Sequence, residues 1–418
     1  MGLKTKIIFN TVIQIFGRLF TAATTYLVAL LLVRSYGVFG FGEFVKITTF
    51  VSYFYIISDF GANAIVVKKM TDEKNSEEKF LGNLLSMRIL GSIALMFIAI
   101  SLLLFLPQGN SQGFTKTARF GILLCSFTII SQSLITTANA YFQKTMRYDK
   151  SIVAVVCGYL LTISLAYIFS FARVSISVVS LAYVFGGFFT AAISFLLIRQ
   201  KILPLFDIGI WKNIFISSLP LGLMLTLNVV YFKADSFILT LTRPTQEVGI
   251  YGLAYKFFEM SLTLPTFFMN SLYPVFLEKR QNEGRGFLKI LKKSGLILLL
   301  ASLVATLVFI VFAPTLINFT SGDKQVDFAG AISALRILSL SLPFFFVSSF
   351  LMWFLIANNK QKILPALYAV SMVFNVVLNL VFIPTHGYLA AATITVVSEA
   401  VVMLLLIIPC WKYQTYDN

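Results

Sequence analysis

The chain has 418 residues, of which 58% are hydrophobic and only 12% charged, against about 25% charged in a soluble domain. This excludes an ordinary globular enzyme and indicates a polytopic membrane protein. The formal charge of +16 raises nucleic acid as a partner, but no aromatic-basic stripe and no nucleic-acid motif accompany it.

The first apolar run, 7–33, is much longer than the ~7–15-residue core of a cleaved signal peptide, so it reads as an uncleaved span. Further runs of spanning length fall near 41–67, 80–106, 117–142, 148–172, 175–198, 212–241, 247–276, 288–317, 329–356, 363–383 and 387–411. At about 1.5 Å per residue each can cross a hydrocarbon layer of about 30 Å. The expected fold class is therefore an all-α membrane protein of about twelve transmembrane helices, with short connections and no soluble catalytic or regulatory domain.

Lysine and arginine crowd the connections on the side of the N-terminus. They run from Lys4 and Lys6 through Lys68, Lys69, Lys144, Arg147, Arg199 and Lys201 to Lys360, Lys362 and Lys412. The opposite side holds few, among them Arg34, Lys116, Arg173, Arg243 and Lys324. The positive-inside rule then puts both termini in the cytoplasm and turns the excess charge into a topology signal, which removes most of the case for nucleic acid. Lys279 to Lys293, with Phe287, Leu288, Ile290 and Leu291 interleaved, reads either as a short amphipathic helix on the anionic inner leaflet or as a solvated anchor for the ninth span.

The halves echo each other at an offset of roughly half the chain. Phe41-Gly42-Glu43-Phe44 is matched by Val248-Gly249-Ile250-Tyr251, and Leu181-Ala182 more faintly by Leu389-Ala390. Six spans per half imply parallel repeats related by an axis along the membrane normal. The expected domains are 1–200 and 201–418, two six-helix bundles in a V-shaped, pseudo-two-fold arrangement with a central cleft.

The run Leu219 to Leu241 opens the second half and carries Lys233 and Asp235. Asp235 lies about 12 Å inside the end marked by Arg243, too deep for a short side chain to reach the headgroups. It must meet a partner on another helix or line a wet cavity. Arg18 stands some 18 Å from Lys6 and 24 Å from Arg34, near the midplane, where insertion costs about 2.5–3.5 kcal/mol or more. It is either half of an interhelical ion pair, with Asp59 or Glu259 for instance, or a cation lining a polar cleft. Lys256 and Glu259 are spaced to pair on one helix face. Glu43 and Asp59 lie near span ends, where an interfacial position explains them as well as a functional one, and Lys46 and Arg88 are expected to snorkel to an interface. The candidate substrate-binding set is Arg18, Lys233, Asp235, Lys256, Glu259 and Asn228, with Asp59 and Glu399 as candidates for a coupling ion. Gln14, Gln132, Asn139, Asn375 and Asn379 are expected to join helices or line the cleft.

Other chemistry is missing. There is no phosphate-binding G-x-x-x-x-G-K-[ST] loop, and Gly37-x-x-Gly40-x-Gly42 lacks the strand and acidic partner of a dinucleotide site, so it reads as a turn leading into a helix. Cys125, Cys157 and Cys410 have neither paired nor metal spacing. His386, the single histidine, follows Pro384 in an expected extracytoplasmic loop. No cofactor or metal is expected, and no enzyme activity.

Gly40-Phe41-Gly42-Glu43-Phe44, Ser58-Asp59-Phe60-Gly61, Val248-Gly249-Ile250-Tyr251-Gly252-Leu253-Ala254, and above all Leu378-Asn379-Leu380-Val381-Phe382-Ile383-Pro384-Thr385-His386-Gly387-Tyr388 followed by Ala390-Ala391 and Glu399 form a recognisable pattern. It resembles the O-antigen and polysaccharide flippases of the multidrug, oligosaccharidyl-lipid and polysaccharide (MOP) exporter superfamily. Phe44 stands where that family usually has tyrosine, and Ala390 where it usually has glycine. The resemblance implies a bacterial inner-membrane flippase that moves an undecaprenyl-diphosphate-linked oligosaccharide, an O-antigen or capsule repeat unit, to the periplasmic leaflet by alternating access. It implies membrane lipids, a polysaccharide polymerase and a chain-length regulator as partners. The rival classes are a multidrug or small-molecule exporter of the same superfamily and, further off, a membrane-embedded polymerase or acyltransferase.

The loop charges generate a topology prediction. Cysteines placed at Gln112 and Ser321 should react with an impermeant thiol reagent from the periplasmic side, while one at Asn282 should not; labelling of Asn282 in intact cells would reverse the orientation.

Overall fold

The computed structural model describes residues 3–73, 76–198, 202–269, 272, 284–358 and 360–414, and their regular structure is helical throughout. In hydrocarbon no water is available to the backbone, so each spanning segment must satisfy its own amides, which a helix does. The helices are α1 (Leu3–Asp59), α2 (Ala62–Asp72), α3 (Glu77–Phe105), α4 (Lys116–Cys125), α5 (Phe127–Thr145), α6 (Tyr148–Phe171), α7 (Ile176–Val179), α8 (Leu181–Leu196), α9 (Ile208–Thr242), α10 (Thr245–Ser261), α11 (Gly284–Ser321), α12 (Ala329–Ser339), α13 (Leu342–Ala357) and α14 (Leu364–Gln414).

Among the described residues nine helical segments are long and apolar enough to span a membrane, but two of them are too long to be single crossings. α1, with 57 residues, would extend about 86 Å and α14, with 51, about 77 Å, against about 30 Å of hydrocarbon. Each is broken by one glycine. Gly37 (φ 66°, ψ −169°) divides α1 and Gly387 (φ 63°, ψ −145°) divides α14. Only a residue without a Cβ occupies that region at low cost. With these breaks, and with α10 continued by the helical residues 263–269, the described chain has about twelve crossings. The turn expected at Gly37 is thus a reversal between the first two spans.

Residues 1–230 and 231–418 form two compact units that part within α9. In the first unit, α6 packs against α1 and α8, and α5 against α3 and α8. The α6–α8 crossing is built on two matched pairs. A Cβ on Gly158 would lie 1.7 Å from Thr190 Oγ1, and one on Gly186 would lie 1.9 Å from Thr162 Oγ1. Gly158-x-x-x-Thr162 thus faces Gly186-x-x-x-Thr190, a small-residue contact that lets backbones approach without a hydrophobic driving force between helices.

The second crossing does not end at Asp59. Phe60 (φ 43°) and Gly61 (φ 71°) interrupt the helix, which resumes as α2. The break rests on the first part of α9: Phe60 stacks on Phe215 with centroids 5.5 Å apart, and a Cβ on Gly222 would sit 2.4 Å from the Phe60 ring. The connection before α9 is tied to α3. Leu205 N donates to Gly82 O at 3.1 Å, and Asn83 Oδ1 accepts from Asp207 N at 2.8 Å and Trp211 Nε1 at 3.1 Å. Asp207 Oδ1 then caps α9 by accepting from Gly209 N at 2.9 Å and Ile210 N at 3.1 Å.

In the second unit α13 packs on α14 and α11, while α12 meets α10, α11 and α14. Exposed Leu300, Leu303, Val304, Leu307 and Val311 line α11, as lipid contact requires. Residues 279–283 of the basic stretch Lys279 to Lys293, Asn282 among them, lie outside the described residues.

A Cβ at Gly387 would fall 2.0 Å from Glu247 Oε2. Gly387→Ala should therefore combine the backbone cost of this glycine-only region, about 1–3 kcal/mol, with displacement of Glu247. The expected result is a lower melting temperature of the detergent-purified protein. An unchanged melting temperature would contradict this account of the turn.

Candidate functional site

The second unit gathers most of the charged residues expected in a binding site. Lys233 Nζ, on α9, lies 3.0 Å from Glu259 Oε1 on α10, and Lys256 Nζ, one turn before Glu259, lies 3.2 Å from its other oxygen. The i,i+3 spacing brings the second pair together; only the packing of α9 beside α10 brings the first. Lys233 also stands 5.3 Å from the Tyr255 ring centroid, in reach of a cation–π interaction. The Tyr255 hydroxyl donates to Phe232 O at 2.9 Å, which holds that ring. Two ammonium groups share one carboxylate, so the cluster carries a net positive charge. The side chains are 24% exposed for Lys233, 27% for Lys256 and 41% for Glu259, enough for an incoming anion to reach them.

Asp235 points elsewhere. Two residues along a helix turn a side chain through about 200°, and Asp235 is buried, accepting from the Tyr251 hydroxyl and from Ser236 N at 2.6 Å. Of the two outcomes open to it, a partner on another helix is realised. Glu399, on α14, is also buried and accepts from the Tyr231 hydroxyl at 3.0 Å. One turn on from Asn375, Asn379 donates to it at 2.9 Å, and Asn375 donates to Ser398 Oγ at 3.0 Å, so these amides join the two arms of α14. Asn228 is exposed. His386 is exposed and meets Thr385 Oγ1 at 2.7 Å.

In the first unit Arg18 is exposed on α1. The carboxylates suggested for it have other cations: Asp59 bonds Arg88 and Glu259 bonds the two lysines. Arg88 is a correction to the expectation of snorkelling. It is 3% exposed and directs its guanidinium inward, to Asp59, to Asn63 Oδ1 at 2.9 Å and to Thr137 Oγ1 at 3.3 Å. The helix break at Phe60–Gly61 presents Asp59 to it, and the guanidinium's planar fork of N–H donors meets several acceptors in a fixed geometry. Lys46 is a second correction. It is 1% exposed, with Nζ 3.5 Å from Glu43 Oε1 and 2.7 Å from Gly113 O. Thr115 Oγ1 donates to Glu43, so Glu43 is a buried tie to the 106–115 connection and not an interfacial residue.

Arg243, expected only as a loop charge at a span end, pairs with Glu247. Glu247 Oε2 accepts from Tyr388 N at 3.1 Å, and Arg243 bonds both Glu247 and Pro384 O at 3.2 Å, so the pair clamps the Gly387 reversal. The hydrogen bond to Glu247 raises the Arg243 pKa above the ordinary guanidinium value. Their i,i+4 spacing was the available signal; the distance in sequence to Gly387 hid its purpose. Among the described residues no group of three or more His, Cys, Asp or Glu could hold a metal ion.

A family model described as polysaccharide biosynthesis protein matches residues 3–280. The chain belongs to this family, within the MOP superfamily. A second family model, MatE, matches residues 220–381. No curated protein matches the chain. Among solved structures it is similar to the lipid II flippase MurJ in an inward closed conformation, with TM-score 0.78 and 16% identity over 96% of this chain and 87% of that one. It is also similar to an inward-facing MATE multidrug resistance transporter, with TM-score 0.75 and 13% identity over 96% and 95% of the two chains. A MOP transporter from Pyrococcus furiosus gives 0.63 and 14%, over 99% and 96%. At these identities the likeness establishes the fold alone.

The geometry of the Asp59–Arg88 pair predicts unequal mutants in this family member. The Arg88 side chain is 2% exposed and that of Asp59 30%, so Asp59→Ala strands a cation with no access to water while Arg88→Ala leaves a carboxylate that can rehydrate. Asp59→Ala should cost about 3–5 kcal/mol, the usual figure for breaking a buried pair, and Arg88→Ala clearly less. Thermal unfolding of the purified variants measures both, and equal losses would refute the asymmetry.

Proposed function

We propose that this polysaccharide biosynthesis family protein flips an undecaprenyl-diphosphate-linked oligosaccharide, an O-antigen or capsule repeat unit, from the cytoplasmic to the periplasmic leaflet of a bacterial inner membrane by alternating access. The observation that carries the reading is the pair of lysines sharing Glu259. A net cation inside apolar spans is costly unless an anion meets it. A diphosphate supplies that anion through charge-assisted hydrogen bonds. Family membership supports the polysaccharide, and the fold shared with a lipid II flippase supports a lipid-linked cargo. Arg18, in the first unit, is proposed separately as a further cation for the cargo and Asn228 as a polar contact, while Asp235, buried against Tyr251, faces away from the lysines. Both termini are placed in the cytoplasm by the loop charges. Membrane lipids surround the spans, and a polymerase and chain-length regulator would consume the product.

The MatE match, which contains the lysine cluster, favours a second reading, export of a small molecule. A net positive site repels cationic drugs, so an anionic or neutral compound would be the cargo.

Deletion of the gene should cause the lipid-linked oligosaccharide to accumulate on the cytoplasmic face; absence of accumulation would favour the exporter. Lys233→Ala and Lys256→Ala each leave Glu259 one lysine, so abundance should hold. Each loses a charged hydrogen bond of about 1.5–3 kcal/mol, or roughly 10–100-fold in transport. Arg18→Lys should keep partial transport and Arg18→Ala should abolish it at near-normal abundance. Loss of surface polysaccharide only in parallel with loss of protein would remove these residues from the site.

A further inference from the structure

Lys69, near the end of α2, and Lys79, in the first turn of α3, hold their ammonium groups 5.6 and 5.8 Å from the centroid of one buried ring, Phe80. Lys69 also donates to Asn213 Oδ1 of α9 at 2.8 Å, and the Ser217 hydroxyl donates to the same oxygen at 3.2 Å. With that oxygen occupied, Asn213 Nδ2 is left as an open donor. Asn213 and Ser217 stand with Gly209, Lys212 and Ile216 around a groove of about 290 Å³. Lys212 is exposed, and among the described residues none of Lys69, Lys79 and Lys212 forms an ion pair. The acidic residues nearby in sequence, Asp72 and Glu73 at the end of α2 and Glu77 and Glu78 at the start of α3, are not in the lining. Asp207 Oδ1 is taken by Gly209 N and Ile210 N. The first amides of α9 are therefore already satisfied, and the polarity of the groove comes from its side chains. Like charges gathered on one ring without a counter-ion repel, and an anion between the helices offsets that cost.

We propose that this groove of the first unit holds the phosphate of an anionic phospholipid, drawn from the leaflet on the side where lysine and arginine crowd the connections. Lys69, Lys212 and Asn213 Nδ2 supply donors to the phosphate oxygens, two of them charged. Lys212 is followed at i+4, i+7 and i+11 by Ile216, Leu219 and Leu223, all exposed on the same face of α9. That face runs from the polar groove into the span, so it gives an acyl chain an apolar track beneath its headgroup. A basic pocket between helix ends at headgroup depth is a recurrent form of lipid recognition. The lipid is anionic and not zwitterionic, because no carboxylate lines the groove to receive an amine. It is a phospholipid and not the lipid-linked cargo, because the volume suits one phosphodiester and not a diphosphate followed by several sugars. The bound phosphate joins α2 to α9, the two helices that also meet at the Phe60–Gly61 break through Phe215 and Gly222. The inference stands apart from the proposed transport function and does not depend on it.

Trp211, the neighbour of Lys212, provides a local probe. The substitutions Trp353→Phe and Trp411→Phe leave it as the one tryptophan of the chain. The full-length protein on this background is placed in phosphatidylcholine vesicles, and its fluorescence is followed as phosphatidylglycerol with brominated chains is added. Quenching should saturate at a lower lipid fraction than with brominated phosphatidylethanolamine. Each of Lys69→Ala and Lys212→Ala should raise the fraction needed about fivefold, the effect of one lysine at an anionic surface, and Lys212→Arg should leave it near the parental value. Lys212 has no partner among the described residues, so Lys212→Ala should also melt with the parent in phosphatidylcholine alone, which separates lipid binding from folding. Equal quenching by the two brominated lipids would overturn the inference, as would an unchanged titration in both alanine variants. Relief of the quenching by the lipid-linked oligosaccharide at equal concentration would overturn the phospholipid as occupant and assign the groove to the cargo.

Discussion

Hydrocarbon does not solvate charge, and the buried polar architecture of both units follows from that constraint. A charged side chain in a span that reaches neither a wet surface nor the interface must be satisfied by the protein itself. Arg88 draws Asp59, Asn63 and Thr137 around one guanidinium. Lys46 and Glu43 close on each other and on the 106–115 connection. These ties act as struts: they cross from one helix to another where apolar contact alone gives little orientation, because lipid tails are as apolar as the helices.

The same constraint distinguishes enclosed, balanced charges from exposed, unbalanced ones. Arg88, Lys46 and Glu43 are almost fully enclosed and locally balanced. Lys233, Lys256 and Glu259 are partly exposed and unbalanced, two cations to one anion. Glu399 is enclosed, and Tyr231 is its hydrogen-bond donor among the described residues. A balanced pair resists change, whereas an unbalanced exposed cluster suits an anion. The polysaccharide biosynthesis family and the MOP fold give these three environments a common setting in a transporter.

Backbone reversals supply the rest of the frame. Gly37 and Gly387 each turn one long helix into two crossings, and the second reversal is clamped by Arg243 and Glu247. Phe60–Gly61 breaks the second crossing without reversing it, which aims Asp59 at Arg88 and packs the break on α9. A polar contact and a backbone irregularity therefore occur together at two places.

The amino-acid sequence by itself determined the membrane class, the approximate number and order of spans, and the flippase resemblance. Apolar run length against bilayer thickness is a local quantity, and the Asn379 to Tyr388 block is contiguous. It also determined the Lys256–Glu259 pair, because helix periodicity places residues three apart on one face. The tertiary structure alone decided which charges meet across helices. Lys233 reaches Glu259 over 26 positions, Arg88 reaches Asp59 over 29 and Tyr231 reaches Glu399 over 168. Distance from a span end suggested that Lys46 and Arg88 would reach for the interface. The structure buries both: Lys46 meets Glu43 one turn back on its own helix and Gly113 O of a distant connection, and Arg88 meets Asp59 of another helix, where azimuth is set by packing, which no single run of sequence encodes.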